Sequence, residues 1–71
     1  MGNRLLSTFS TDDSTGYAEV KYNSSTELIY VKFYDEWGRL YYTEEHPNKT
    51  VKQVEESVQD WAAGNRELIY V

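Results

Sequence analysis

The chain has 71 residues, no cysteine, and seven Lys and Arg against twelve Asp and Glu, for a net charge of −5. That length allows one small domain whose core supplies only about 3 to 5 kcal/mol, and without cysteine neither disulfides nor thiolate zinc sites can add to it, so oligomerisation is the cheap supplement. The acidic balance opposes unassisted binding to nucleic acid or anionic membranes, and no segment approaches the ~20 apolar residues of a membrane span or a secretory signal, so a soluble cytoplasmic protein is expected.

Residues 4–10 mix apolar and hydroxyl side chains and predict a short edge strand. The start, Met-Gly-Asn-Arg-Leu-Leu, lacks the hydroxyl residue a myristoylation signal carries at its sixth position. Thr11-Asp12-Asp13-Ser14-Thr15-Gly16 is turn composition throughout, because Asp and Ser side chains bond their own backbone and Gly supplies unusual dihedrals. Residues 17–22 alternate, with Ala18, Val20 and Tyr22 against Tyr17, Glu19 and Lys21, which is the period of a half-buried strand. After the turn at 23–26, residues 27–35 form the strongest strand, filled with β-branched and aromatic side chains and best placed centrally. Asp35-Glu36-Trp37-Gly38 has Asp and Gly at the first and fourth positions of a type I turn, the opening of a hairpin closed by a glycine bulge, and residues 39–44 return.

Pairing Asp35 with Arg39 sets Phe33 against Tyr41 and Val31 against Thr43 on one face, and Tyr34 against Leu40 and Lys32 against Tyr42 on the other. Ile29, Val31, Phe33 and Tyr41 then share one face, and Leu28, Tyr30, Tyr34, Leu40 and Tyr42 the second; a slip of one residue would exchange the 40–43 set.

The convincing helix is residues 50–64. Val51, Val54, Val58 and Trp61, with Ala62, recur at helical spacing, and Thr50 with Gln53 forms a capping box. Pro47 ends the preceding strand and Gly64 provides the left-handed stop. A single helix covers one sheet face, so the other needs a partner chain, the N-terminal segment or a ligand. Residues 67–71, Glu-Leu-Ile-Tyr-Val, repeat residues 27–31 without a change; the plainer reading is that both are good strand sequences, and the sharper one is strand addition at a sheet edge.

Little in the chain carries chemistry. The one histidine, His46, has acidic neighbours but no second His or Cys to complete a metal set, and no Ser sits in a nucleophile elbow that would use it as a base. The pairs Asp12/Asp13, Asp35/Glu36, Glu44/Glu45 and Glu55/Glu56 evoke two-carboxylate hydrolysis, which requires a cleft that so short a chain has little material to build. Each glycine has its own turn or terminus, so no phosphate loop is present. Asn23-Ser24-Ser25 and Asn48-Lys49-Thr50 match the glycosylation sequon and are better read as turn and cap chemistry. Seven Tyr, two Trp and two Phe remain; tyrosines beside Lys21, Lys32 and Arg39 suit base stacking, but the interspersed Glu19, Glu44 and Glu45 favour a protein interface. Trp37, at a turn tip, suits an anchor.

Tyr34-Asp35-Glu36-Trp37-Gly38-Arg39-Leu40 resembles the Tyr-Asp-x-x-Gly-Arg-Leu core of YD-repeat shell proteins, here as one copy of seven residues where those families carry tandem arrays. The hairpin, Pro47 and the capped helix resemble part of the HicB-type antitoxin domain, without a DNA-binding segment after it. In size, acidity and its Trp-Ala-Ala-Gly helix end, the chain is similar in style to the short reading frames of marine tailed phages, which implies no activity.

The expected fold is α+β, an antiparallel meander of three or four strands with one C-terminal helix packed on one face, and a final strand available in residues 67–71. The expected function is that of a non-enzymatic binding protein, homo-oligomeric or directed at a host protein. Its interface is expected at Tyr30, Tyr34, Trp37, Leu40 and Tyr42, with no catalytic residue, cofactor or metal. The alternative is a single-strand nucleic-acid binder using the tyrosine face.

Overall fold

A computed structural model describes residues 2–66. Four strands, β1 (Asn3–Ser10), β2 (Gly16–Asn23), β3 (Leu28–Asp35) and β4 (Leu40–His46), form one antiparallel sheet in the order β1-β2-β3-β4, followed by helix α1 (Val51–Ala62). This is the expected α+β meander. Residues 67–71, where the sequence left a final strand open, lie outside the described residues.

Side-chain chemistry fixes each turn. In the first, Thr11 Oγ1 accepts from the backbone N–H of Thr15 at 2.8 Å and of Gly16 at 3.2 Å, while Asp13 accepts from Thr15 N–H and Oγ1 at 3.2 and 2.7 Å. In the second, Asn23 Oδ1 accepts from Ser25 N–H at 2.9 Å, and Glu27 adopts a φ of +59° before β3 begins. In the third, Gly38 N–H donates to Asp35 O at 3.0 Å and Asp35 N–H to Arg39 O at 2.9 Å, with Gly38 at φ +80°, the predicted type I turn with its glycine bulge.

The helix ends follow the same logic. Thr50 Oγ1 accepts from Gln53 N–H at 3.2 Å and Gln53 Oε1 from Thr50 N–H at 3.0 Å, completing the capping box. At the far end Gly64, at φ +84°, donates to Trp61 O at 3.0 Å and Asn65 N–H to Asp60 O at 2.8 Å, the paired bonds of a Schellman stop.

One face of α1 buries Val54, Val58 and Ala62 against Ala18, Val20, Ile29, Val31 and Phe33. Trp61 meets the Phe33 ring edge-on, with centroids 4.9 Å apart. Val51, expected on this stripe, is 39% exposed instead, because it occupies the first turn beyond the sheet contact. Glu55, at the side of this stripe, accepts from Ser7 Oγ at 2.8 Å and so ties the helix to β1.

The β3–β4 register corrects the expected one. Tyr34 does pair with Leu40, but a bulge between Phe33 and Tyr34 inserts Tyr41, so Phe33 pairs with Tyr42, Lys32 with Thr43 and Val31 with Glu44. Tyr42 therefore joins the helix-covered face, its ring 5.8 Å from that of Phe33, rather than the opposite face to which it was assigned. On the core face the slip replaces Tyr41 by Tyr42 opposite Phe33 and Thr43 by Glu44 opposite Val31, where Arg66 pairs with Glu44.

Candidate protein-contact surface

The sheet face opposite α1 follows from register alone, since alternate residues project to alternate sides. Three rows cross its strands: Ser10, Tyr17, Tyr34 and Leu40; then Thr8, Glu19, Lys32 and Thr43; then Leu5, Lys21, Tyr30 and Glu45. Among the described residues no helix or loop is packed over these rows as α1 is over the other face.

Of the five expected interface residues, the structure brings Tyr30, Tyr34 and Leu40 to this face and sets Trp37 at its end, while Tyr42 lies behind it. Tyr17, which the sequence reading left out, is the direct neighbour of Tyr34; the two rings stack with centroids 4.7 Å apart and planes 13° apart. The signal was available in the alternation of β2, which already put Tyr17 with Glu19 and Lys21. Tyr30 is only 9% exposed, with the Lys32 ammonium 6.0 Å from its ring centroid and Lys21 and Glu45 as its cross-strand partners. Leu40 is 49% exposed and Trp37 71% exposed.

The tip is preorganised. Asp35 Oδ1 accepts from the N–H groups of Trp37 at 3.0 Å and Arg39 at 2.9 Å, and Oδ2 accepts from Arg39 Nε at 3.1 Å. The Arg39 backbone N–H, foremost among these donors, holds the Asp35 carboxyl below the usual carboxylate range. The Arg39 guanidinium lies 5.1 Å from the Trp37 ring centroid, a cation–π contact that restrains the indole outside the fold.

Charges on the face are mixed. Glu19 pairs with Lys21 at 3.6 Å, whereas Lys32 has no ion-pair partner among the described residues. Removal from water, reinforced by the Glu19 carboxylate that accepts its hydrogen bond, holds the Tyr34 phenol above the ordinary tyrosine range.

A second polar cluster lies behind the face. Glu44 accepts from Arg66 Nη2 at 2.6 Å and lies 2.8 Å from His46 Nε2, and Arg66 Nη1 donates to Ser57 O at 3.3 Å. His46, the last residue of β4, has only 10% of its side chain exposed. A groove of about 680 Å³ beside this cluster is bordered by Asp12, Asp13, Tyr41, Trp61 and Arg66. No carboxylate pair there is desolvated, and among the described residues no group of three or more His, Cys, Asp or Glu is placed to hold a metal. No described helix is long and apolar enough to cross a membrane.

No protein-family model matches the chain, and neither a curated protein nor a solved structure matches it.

Proposed function

We propose that the chain is a non-enzymatic binding protein that acts through protein–protein contacts and associates with itself through the sheet face opposite α1. One observation carries this reading: the two most solvent-exposed large apolar side chains near the third turn, Leu40 and Trp37, continue the row of the stacked Tyr17 and Tyr34 onto a tip that Asp35 braces by hydrogen bonds. Such a patch is the kind a small domain covers by association, and preformed aromatic anchors give up little freedom on contact.

The test is solution mass by light scattering from ~1 μM to ~1 mM, a span that brackets weak and moderate self-affinity. A dimer or larger species at the upper end is expected. Leu40→Glu should leave the mass of one chain with the helical signal intact, because Leu40 is outside the core. A wild-type chain that stays monomeric throughout would refute self-association, and an unfolded Leu40→Glu chain would make Leu40 a core residue.

A further inference from the structure

We propose that two copies pack open face to open face about a two-fold axis that runs parallel to the strands between β2 and β3. This rests on the self-association reading above and adds the geometry to it. A rotation about that axis lays β2 of one copy over β3 of the other at the same height. The registers Tyr17 with Tyr34, Glu19 with Lys32, and Lys21 with Tyr30 then decide what meets. Glu19 of each copy faces Lys32 of the other, the Tyr17 and Tyr34 rings face one another, and each Lys21 faces a Tyr30 ring.

Every central position therefore finds a complement. Lys32, which lacks a carboxylate partner among the described residues of its own chain, gains one across the axis. The four central charges, Glu19, Lys21, Lys32 and Glu45, sum to zero in a chain of net charge −5, so the repulsion between two acidic copies is carried away from the contact. Other in-plane axes fit worse. An axis across the strands through the Glu19 and Lys32 row sets each charge over its own equivalent; one midway to the Lys21 and Tyr30 row matches Glu19 with Lys21 but leaves Lys32 without a carboxylate and lays Tyr17 over Asn23. Stacked sheets keep their strands within about 30° of each other, so the correspondence is closest at β2 and β3, which flank the axis. The same rotation carries Trp37 over the loop between β1 and β2 of the second copy, where Ser10, Ser14, Gly16 and Tyr17 border a pocket of about 140 Å³.

Four strands about 4.8 Å apart and six residue steps of about 3.3 Å outline a patch of roughly 400 Å² per copy, at or below the low end of specific interfaces. The dimer is accordingly concentration-dependent, and its central charges are strong levers.

The test compares wild type, E19K, K32E and an equimolar mixture of the two variants by native mass spectrometry, with circular dichroism to confirm folding. Each variant alone sets like charges across the axis twice and should weaken dimerisation at least ~10-fold, whereas in the mixture every pair is again opposite and a one-to-one heterodimer should form. If a single variant fails to fold, the chain carrying both E19K and K32E replaces it, and its dimerisation at the wild-type level is expected. A wild-type dimer with variants that dimerise equally well, or with a mixture or double variant that stays monomeric, would overturn this axis and leave self-association standing. A monomeric wild type would overturn both.

Discussion

At Gly16, where β2 begins, the neighbouring strand leaves no room for a side chain. A Cβ built on this buried glycine would lie 2.6 Å from the carbonyl oxygen of Tyr34 and 3.9 Å from the Asp35 Cα. The obstacle is main chain on a paired strand, so no side chain can rotate away; Gly16 must separate from Asp35, its partner in the ladder. Overpacking of that kind costs about 1 to 3 kcal/mol. A domain of this size has about 4 to 10 kcal/mol in total, and each kcal/mol moves its melting temperature by about 4 to 8 °C. Gly16→Ala should therefore lower the melting temperature by about 8 to 16 °C for a central cost of ~2 kcal/mol. Thermal unfolding followed by circular dichroism at low protein concentration measures this without a contribution from association. The separation also falls one residue from the stacked Tyr17 and Tyr34, so the near-ultraviolet tyrosine signal of the folded variant should change with it. A variant that melts within about 2 °C of wild type would show that the strands tolerate the methyl group, and the close approach would carry no weight.

The core, the ionisable groups and the alternative nucleic-acid reading give further expectations. Phe33 is fully buried between Trp61 and Tyr42, so Phe33→Ala should cost about 3 to 5 kcal/mol, enough to leave much of the chain unfolded at 37 °C in a denaturant titration. Hydrogen bonds depress the carboxyl of Asp13, chiefly from the Thr15 side chain, and that of Asp35, chiefly from the Arg39 backbone N–H. Their stabilisation is present above the unfolded value near ~3.9 and is lost as pH falls through the lower folded values; melts at decreasing pH should show Asp35→Asn losing less stability on acidification than wild type. Tyr34 has the opposite sign for an acid: its folded pKa is raised, so its contribution is present below ~10 and lost as pH rises through the folded value. Ultraviolet titration should show a late-ionising phenol that Tyr34→Phe removes. Single-stranded oligonucleotide at low salt should leave the tyrosine fluorescence unchanged, and quenching that reverses with added salt would instead favour base stacking on this face.

The parts of the fold legible in the sequence were those set by neighbours in the chain. Thr50 and Gln53 specify the helix start, Gly64 its stop, and Asp35 with Gly38 the turn, because each motif satisfies its own backbone groups within a few residues. The pairing of Tyr34 with Leu40 followed from that turn. One residue further the local rule ended, at the bulge that admits Tyr41; beyond it Tyr42 meets Phe33 across the hairpin and Glu44 meets Arg66, 22 residues away. A strand pattern in which Tyr41 and Tyr42 are equally good candidates for burial cannot choose between them. The same limit explains Ser7 and Glu55, which lie 48 residues apart and bond directly.

That one bulge also changes the chemistry of the open face. Without it, Tyr42 would stand beside Lys32 and Tyr34 on a face dominated by tyrosine; with it, Thr43 takes that place and the row reads Thr8, Glu19, Lys32, Thr43, polar at both edges and oppositely charged at its centre. A face of tyrosines alone would bind without regard to orientation, since apolar contact is non-directional. In the proposed dimer a charged central row penalises every arrangement that sets like charges together and favours the one that gives Lys32 a carboxylate, Glu19. Glu19 and Lys32 hold the centre of that row whichever β4 residue follows, so the bulge lightens the aromatic content of one edge while β2 and β3 supply the charges on which the proposed pairing depends.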